Sequence, residues 1–183
     1  MDAAAPAPSD REPAMESSLQ QPLEDAVALF DALKIPYALI GGIAAMLYGR
    51  SRFTEDVDFV AAAAHEKILA AHPEIMRQHH FDPVSTWKLY HESGIEIDIW
   101  KDEFSDQIAA RARTIQFHGR SMRVADVHDL IAMKLRADRP QDDYDISEII
   151  KKTPVEEAVI QNRITAEQFS RYGDIKRRAL GSG

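Results

Sequence analysis

The fold of this chain is decided by a pair of glycines followed by a pair of acids, in Ile40-Gly41-Gly42 and then Arg52-Phe53-Thr54-Glu55-Asp56-Val57-Asp58. The apolar run at residues 37–40 predicts a buried strand, and residues 43–47 predict a helix. The glycines are therefore expected at a strand-to-helix turn. Residues 57–61 predict the next strand, which places the two acids at its start.

The acid pair predicts a metal site. Residues i and i+2 of a strand point to the same face, so the carboxylates of Asp56 and Asp58 are expected side by side. Two like charges at that distance repel, and each carboxyl holds its proton more tightly. A bound divalent cation removes this penalty. Because oxygen ligands select hard cations, we expect Mg²⁺ or Mn²⁺.

Asp98 is the best candidate for a third carboxylate. The isoleucines of residues 95–99 alternate with acids, which puts the acids on one face of a strand. Two metals held by three acids would stabilise both the attacking and the leaving oxygen of a phosphoryl displacement. The glycines fit the same chemistry, since a turn without side chains lets backbone N–H groups approach a phosphate at the N-terminus of a helix.

Each of these features also has a plainer interpretation. A glycine pair is often only a tight turn, and an Asp-x-Asp is often a solvated strand edge. Glu96 and Asp98 would equally suit the wet face of an antiparallel sheet. The joint order of the glycines and the three acids favours a site.

The remaining pattern predicts an α/β (α+β) domain with a short mixed β-sheet flanked by helices and a helical C-terminal part. We expect helices from residue 22 and within 65–80, with a break near Pro73, and hairpins of 84–91 with 95–100 and 114–117 with 122–124. The predicted division is a disordered arm over 1–20, a core with the catalytic sheet over 21–125 and a packed helical part over 126–180.

Composition excludes several classes of protein. The 183 residues include no cysteine, which excludes disulfides and thiolate metal sites. No apolar run approaches the roughly 18 residues of a membrane helix, so we expect no membrane partner and a cytoplasmic location. A net charge of −8 disfavours nucleic-acid binding through counterion release alone. We interpret the arginines near the second hairpin as a solvated face rather than a nucleic-acid patch: Arg111, Arg113, Arg120 and Arg123.

With these motifs in place, the sequence resembles the nucleotidyltransferase superfamily that includes DNA polymerase beta. Within it, the run Arg-x-Thr-x-Asp-x-Asp at residues 52–58 is similar to the minimal AbiEii-like group, some members of which are toxins of toxin–antitoxin pairs. That group also tends to carry a helix with a lysine followed by Arg-x-x-Asp-x-x-Asp-Ile, which is matched by Lys134 and residues 139–146. The resemblance covers roughly residues 23–150.

The resemblance implies roles for the matching residues. Metal would be held by Asp56, Asp58 and Asp98, and Asp98 would also assist deprotonation of the acceptor hydroxyl. Nucleotide would be bound by Gly41, Gly42, Arg52 and Thr54, the last two touching phosphate or bracing the acids. Lys134 would neutralise triphosphate charge, against the alternative of a solvated lysine. For Arg139, Asp142 and Asp145 an ion-paired helix cap supporting Lys134 and a purely structural role stay equally open.

The implied activity is metal-dependent transfer of a nucleoside monophosphate from a nucleoside triphosphate to a hydroxyl. The acceptor stays open among a tRNA 3′ end, an aminoglycoside-like small molecule and a protein. A cognate antitoxin is a further expected partner. The alternative is a non-catalytic nucleotidyltransferase-like binding or toxin–antitoxin module.

Overall fold

The computed structural model describes residues 17–51 and 54–181. These residues form two compact units. The sheet unit contains residues 17–44 and 54–126, and the helical unit contains residues 45–51 and 127–181. Residues 45–51, which the sequence interpretation places in the core, cluster with the helical unit.

The sheet unit alternates helices and strands along the chain. Its elements in order are α1 (Ser17–Ala32), β1 (Tyr37–Leu39), the start of α2 (Gly41–Leu47), β2 (Val57–Ala61), α3 (His65–Ala71), α4 (Pro73–Gln78), β3 (Phe81–Asp82), β4 (Lys88–His91), β5 (Glu96–Trp100), α5 (Ser105–Arg111), β6 (Arg113–Phe117) and β7 (Arg120–Val124).

The seven strands form one mixed sheet in the order β3-β4-β5-β2-β1-β7-β6. The β2–β5 and β1–β7 pairs are parallel, and the other four pairs are antiparallel. The order places β5 beside β2 although α3, α4 and two strands separate them in the chain. This crossover brings the acids of two distant segments onto neighbouring strands.

The two faces of this sheet differ in polarity around β4 and β5. Leu89, Ile97 and Ile99 are buried on one face. The opposite face carries polar and aromatic side chains that are half-buried or exposed, namely Lys88, Tyr90, Glu96, Asp98 and Trp100. Because side chains alternate along a strand, the apolar face anchors the sheet while the other face is available for chemistry.

An aromatic cluster fixes α1 against the sheet. Phe30 stacks on Tyr37 with ring centroids 5.1 Å apart, and both rings meet the edge of Phe59. All three side chains are buried. Such aromatic pairs are worth roughly 0.5–1.5 kcal/mol beyond the burial of their area. The cluster therefore stabilises the strands that lead into the glycine turn and away from Asp58.

The helical unit contains the last four helices: α6 (Val127–Ala137), α7 (Pro140–Lys152), α8 (Glu157–Gln161) and α9 (Ala166–Leu180). Helix α9 begins with a capping box, in which the Thr165 hydroxyl accepts the Gln168 N–H. It ends at Gly181 in the left-handed conformation. No helix in the described part of the chain is both long and apolar enough to cross a membrane.

The structure confirms the predicted fold class, the strand–turn–helix around the glycines, the break at Pro73 and both hairpins. The predicted disordered arm is wrong for residues 17–20, because α1 begins at Ser17 and buries Leu19; residues 1–16 lie outside the described residues. The first hairpin is shorter than predicted. The Ser85 hydroxyl accepts the N–H groups of Trp87 and Lys88, so β4 begins only at Lys88.

Candidate active site

Asp58 and Asp98 lie side by side on adjacent parallel strands. The register of β2 with β5 pairs Asp58 with Asp98 directly, one residue inside the start of β2 and in the middle of β5. Neighbouring strands are about 4.8 Å apart, and residues in register point to the same face. Both side chains are half-buried. The structure thus brings together two of the three predicted acids.

Gly41 lies against the carboxyl group of Asp58. A Cβ added to Gly41 would come within 2.8 Å of the Asp58 Cγ and would overlap its Oδ2. The residue also has a φ of +66°, which L side chains rarely adopt. Next to it, the Ile40 N–H donates to the Asp58 carbonyl over 2.9 Å. Only glycine fits here, because the turn and the acid occupy adjoining space.

Asp56 is exposed and comes one residue before β2 begins. Its backbone N–H donates to the Thr54 hydroxyl over 3.3 Å. Thr54 therefore contacts the backbone of Asp56, and its predicted role in binding phosphate or bracing the acids stays a prediction. Arg52, the other residue predicted to bind phosphate or brace the acids, lies outside the described residues. Gly42 follows Gly41 in the first turn of α2.

A lysine faces the acids of β5. Lys88 of β4 pairs with Asp98 in the antiparallel register, and its Nζ lies 2.6 Å from Glu96 Oε2 and 3.3 Å from Asp98 Oδ1. The hydrogen bonds to Glu96 and Asp98, together with their negative charges, raise the pKa of Lys88 well above its ordinary value. Lys88 is therefore a fixed positive charge beside the acids at neutral pH.

Trp100 contacts the other acid of the pair. The indole N–H of Trp100 donates to Asp58 Oδ1 over 2.9 Å, while 44% of the residue is exposed. Trp100 follows Asp98 by two residues on β5 and so lies on the same face. The carboxyl group of Asp58 is thus bounded by the Gly41 backbone and by an indole.

These residues fit a divalent cation in the chemistry of their donors. Carboxylate oxygens are the ligands of hard cations, and the Lys88 ammonium already occupies a position that a cation would take beside Asp98. Among residues 17–51 and 54–181, however, no three acidic or histidine side chains are grouped as a metal site. Asp58 and Asp98 are adjacent in the sheet, and metal binding by them and by Asp56 stays a prediction.

Lys134 belongs to the helical unit and is buried there within an ion-pair network. Its Nζ lies 2.6 Å from Asp145 Oδ2 and 3.2 Å from Asp142 Oδ1. Arg139 caps α7 through Asp142, whose carboxylate accepts both the Arg139 N–H and its Nε–H. The alternative of a solvated lysine is wrong, because only 5% of Lys134 is exposed. Its contribution to chemistry stays a prediction.

The same network contains Arg50, whose Nε lies 2.8 Å from Asp145 Oδ1 with both side chains buried. Burial alone would raise the pKa of Asp142. The hydrogen bond from Arg139 and the positive charges of Lys134 and Arg139 outweigh that effect, and the pKa of Asp142 falls below its ordinary value. Asp142 is consequently ionised in the folded protein at neutral pH.

Three of the arginines near the second hairpin have partners inside the sheet unit. Arg113 pairs with Asp126 and Arg120 with Glu24, each over 2.8 Å. Arg123 donates to the Ala109 carbonyl. These contacts favour the interpretation as a solvated charged face over a patch for nucleic acid.

Sequence reasoning missed Arg50, Lys88 and Trp100. A signal existed for two of them. Counting outward from the predicted turn at residues 92–94 puts Lys88 opposite Asp98, and the alternation along residues 95–100 puts Trp100 on the acid face. Nothing local in the sequence marks Arg50, since its partner Asp145 lies far along the chain.

The chain is similar to known proteins in sequence and in fold. The model of the family described as nucleotidyl transferase AbiEii toxin, type IV toxin–antitoxin system, matches residues 25–181. None of the curated proteins compared with the sequence is significantly similar to it. An antigenic nucleotidyltransferase-like protein from Paracoccidioides brasiliensis is similar in structure, with a TM-score of 0.60, 19% identity and 93% of each chain covered. The antibiotic-resistance factor ANT(2'')-Ia has a TM-score of 0.48 and 16% identity over 90% of this chain and 95% of its own. Because the family model matches most of the sequence, the chain belongs to the AbiEii nucleotidyl transferase toxin family.

Proposed function

We propose that this protein transfers a nucleoside monophosphate from a nucleoside triphosphate to a hydroxyl acceptor, with Mg²⁺ or Mn²⁺ and with release of pyrophosphate. The observation that carries the proposal is the register of Asp58 with Asp98 beside Gly41. Two carboxylates next to a turn without side chains suit the joint binding of a hard cation and a phosphate chain. Membership of a nucleotidyltransferase family supports the reaction class.

In the proposed reaction the acceptor oxygen attacks the α-phosphorus of the triphosphate. A new P–O bond forms while the bond from the α-phosphorus to pyrophosphate breaks, and the hydroxyl proton passes to Asp98. The divalent cation would be held by Asp58, Asp98 and Asp56, and would supply positive charge to the developing oxyanions. The backbone N–H groups of Gly41 and Gly42 would bind phosphate oxygens, while the space beside the Gly41 Cα is filled by the Asp58 carboxylate. Catalysis of this kind is mainly positioning and electrostatic stabilisation.

We assign Lys134 the role of supplying positive charge to the triphosphate. Its ammonium is buried and paired with Asp142 and Asp145, so binding the triphosphate would require one of these carboxylates to give way. A Lys134→Met variant that stays folded should raise the KM for the triphosphate. A loss of stability with an unchanged KM would show a purely structural role.

The acceptor is identified by offering three classes of acceptor in parallel incubations. The protein is incubated with each α-labelled triphosphate, Mg²⁺, and either total tRNA, an aminoglycoside or cell protein. We expect label in one class only, and Asp56→Ala should abolish it. Asp82→Ala removes an exposed acid of β3 and serves as the matched control. Absence of label in all three classes, or equal label with Asp56→Ala, would contradict the proposal.

The alternative is a non-catalytic binding or toxin–antitoxin module built on the same fold. Its supporting observation is that Lys88 and Trp100 already engage Asp98 and Asp58. Triphosphate binding detected by calorimetry, without transfer of label, would favour this alternative.

Under either function we propose a cognate antitoxin, from the type IV toxin–antitoxin description of the family. Growth arrest on expression, relieved by one neighbouring gene, would identify that antitoxin.

A further inference from the structure

The indole of Trp100 makes a directed contact that its surroundings do not require. Nearly half of the residue is exposed, so water could satisfy its N–H group. The N–H nevertheless donates to Asp58 Oδ1 over 2.9 Å. The contact crosses from β5 to β2, since Trp100 is in register with Val60 and Asp58 with Asp98. The indole therefore reaches back along the neighbouring strand to the acid.

The carboxyl group of Asp58 is consequently oriented from two sides. The χ2 angle of an aspartate has a broad, roughly two-fold distribution, so a carboxyl group without hydrogen-bond partners samples many orientations. Here Oδ1 accepts the indole N–H, and Oδ2 lies where a side chain at Gly41 would be. Groups that donate to a metal-binding carboxylate commonly set its orientation and tune its affinity.

We propose that Trp100 is a positioning residue, which orients the carboxylate of Asp58 for a divalent cation bound between β2 and β5. The N–H group of the indole performs this role, and the apolar ring is secondary. The inference rests on the proposed function for the presence of the cation. It is nonetheless tested by metal binding alone, with no need for transfer activity.

The test uses the two tryptophans of the sequence, Trp87 and Trp100. Trp100→Phe keeps an aromatic ring on the same strand and removes the N–H group. Trp87→Phe makes the same chemical change away from Asp58, where the ring meets the edge of His65. Mn²⁺ binding to each variant is measured by calorimetry on the full chain, with thermal unfolding as the check on folding. We expect the dissociation constant to rise about tenfold in Trp100→Phe and to stay within about twofold in Trp87→Phe.

Fluorescence gives a second readout, and its main measurement is made on Trp87→Phe, which retains Trp100. In Trp87→Phe the emission comes from Trp100 alone. Paramagnetic Mn²⁺ should quench it in a saturable way, with the same dissociation constant that calorimetry gives. In Trp100→Phe, where only Trp87 emits, the quenching should be much weaker.

Three outcomes would overturn the proposal. They are equal Mn²⁺ affinity of the two variants, an unquenched Trp100 in Trp87→Phe, and no Mn²⁺ binding by the unaltered protein. The proposed function can fail separately. If the protein binds Mn²⁺ with an affinity that depends on Trp100 but transfers no label, the role of Trp100 is supported and the transferase function is rejected. Metal-dependent transfer with a Mn²⁺ affinity that Trp100→Phe leaves unchanged would support the transferase and reject the role of Trp100.

Discussion

The ammonium of Lys88 lies 3.3 Å from Asp98 Oδ1, so the acid proposed to complete the metal site is already paired with a cation of the protein itself. A divalent ion would compete with this ammonium for the same oxygen. Lys88→Met should therefore lower the dissociation constant for Mn²⁺, roughly fivefold for an exposed pair at low salt. The measurement is calorimetry at low and at moderate ionic strength.

The matched control is Lys101→Met, which removes the same charge from an exposed position directly after β5. Its Mn²⁺ affinity should change much less. If Lys88→Met bound Mn²⁺ more weakly than the unaltered protein, Lys88 would be supporting the acids rather than competing with the cation.

Gly41→Ala should disable the site. The new methyl group would overlap the Asp58 carboxylate, and the residue would keep an unfavourable positive φ. Gly119→Ala separates these effects, because Gly119 has a φ of +75° and nothing within 4 Å of an added Cβ. Urea unfolding should show a cost of about 1–2 kcal/mol for Gly119→Ala and a larger cost for Gly41→Ala. Only Gly41→Ala should weaken Mn²⁺ binding, and an equal effect of both variants on that binding would disprove the close approach.

Asp142→Asn should strongly destabilise the helical unit. The substitution leaves the buried Lys134 with one carboxylate partner fewer, and breaking a buried ion pair costs about 3 kcal/mol or more. Asp143→Asn is the control, since Asp143 is half-buried and pairs with arginines near the surface. It should cost at most about 1 kcal/mol. Urea unfolding at pH 7 measures both values, and similar costs would refute the proposed importance of the network.

The Asp142 contribution should also depend on pH. Its folded pKa is lowered below the ordinary value of 3.8, so the folded state binds the proton less readily than the unfolded state. The stabilisation is present above the unfolded pKa and is lost as the pH falls through the lowered folded pKa. The stability difference between the unaltered protein and Asp142→Asn should shrink on acidification below about pH 4. A constant difference from pH 7 to pH 3 would show that the charge of Asp142 is irrelevant.

Tyr172→Phe should stabilise the protein. The Tyr172 hydroxyl is buried and has no hydrogen-bond partner in the part of the chain that the structure describes. Burial raises the pKa of Tyr172 to about 12, so the hydroxyl is neutral at pH 7 and no ionic interaction offsets its burial. Removing it should raise the free energy of unfolding by about 1 kcal/mol. Tyr37→Phe should act in the opposite direction, because the Tyr37 oxygen accepts the Arg123 N–H. Thermal unfolding that ranks the two variants the other way would contradict this account.

The parts of the fold that depend on residues close together in the sequence were predictable from the sequence. The glycine turn, the strand carrying Asp58 and the hairpin carrying Asp98 all follow from local apolar period and turn residues. The resemblance implied that Asp98 completes a site with Asp58, but the crossover that sets β5 against β2 is specified by no local pattern. The Arg50–Asp145 pair joins residues far apart in sequence, so only the tertiary structure reveals it.

Side-chain partners were the least predictable part of the site. The alternation along β5 placed Trp100 on the acid face, yet its bond to Asp58 depends on the side-chain rotamer and on the strand register. The burial of Lys134 likewise follows from the packing of α6 with α7, which brings Asp142 and Asp145 to its ammonium. Helical periodicity alone left the solvated alternative open.

Paired labelling of the triphosphate tests most directly whether nucleotidyl transfer takes place at the Asp58–Asp98 pair. The protein is incubated with Mg²⁺, the acceptor fraction and ATP, GTP, CTP or UTP, labelled in parallel at the α- or the γ-phosphate. We expect that label from the α-phosphate alone reaches the acceptor, that γ-label leaves as pyrophosphate, and that Asp58→Asn abolishes the transfer. Incorporation of γ-label, or undiminished α-label transfer by Asp58→Asn, would contradict this expectation.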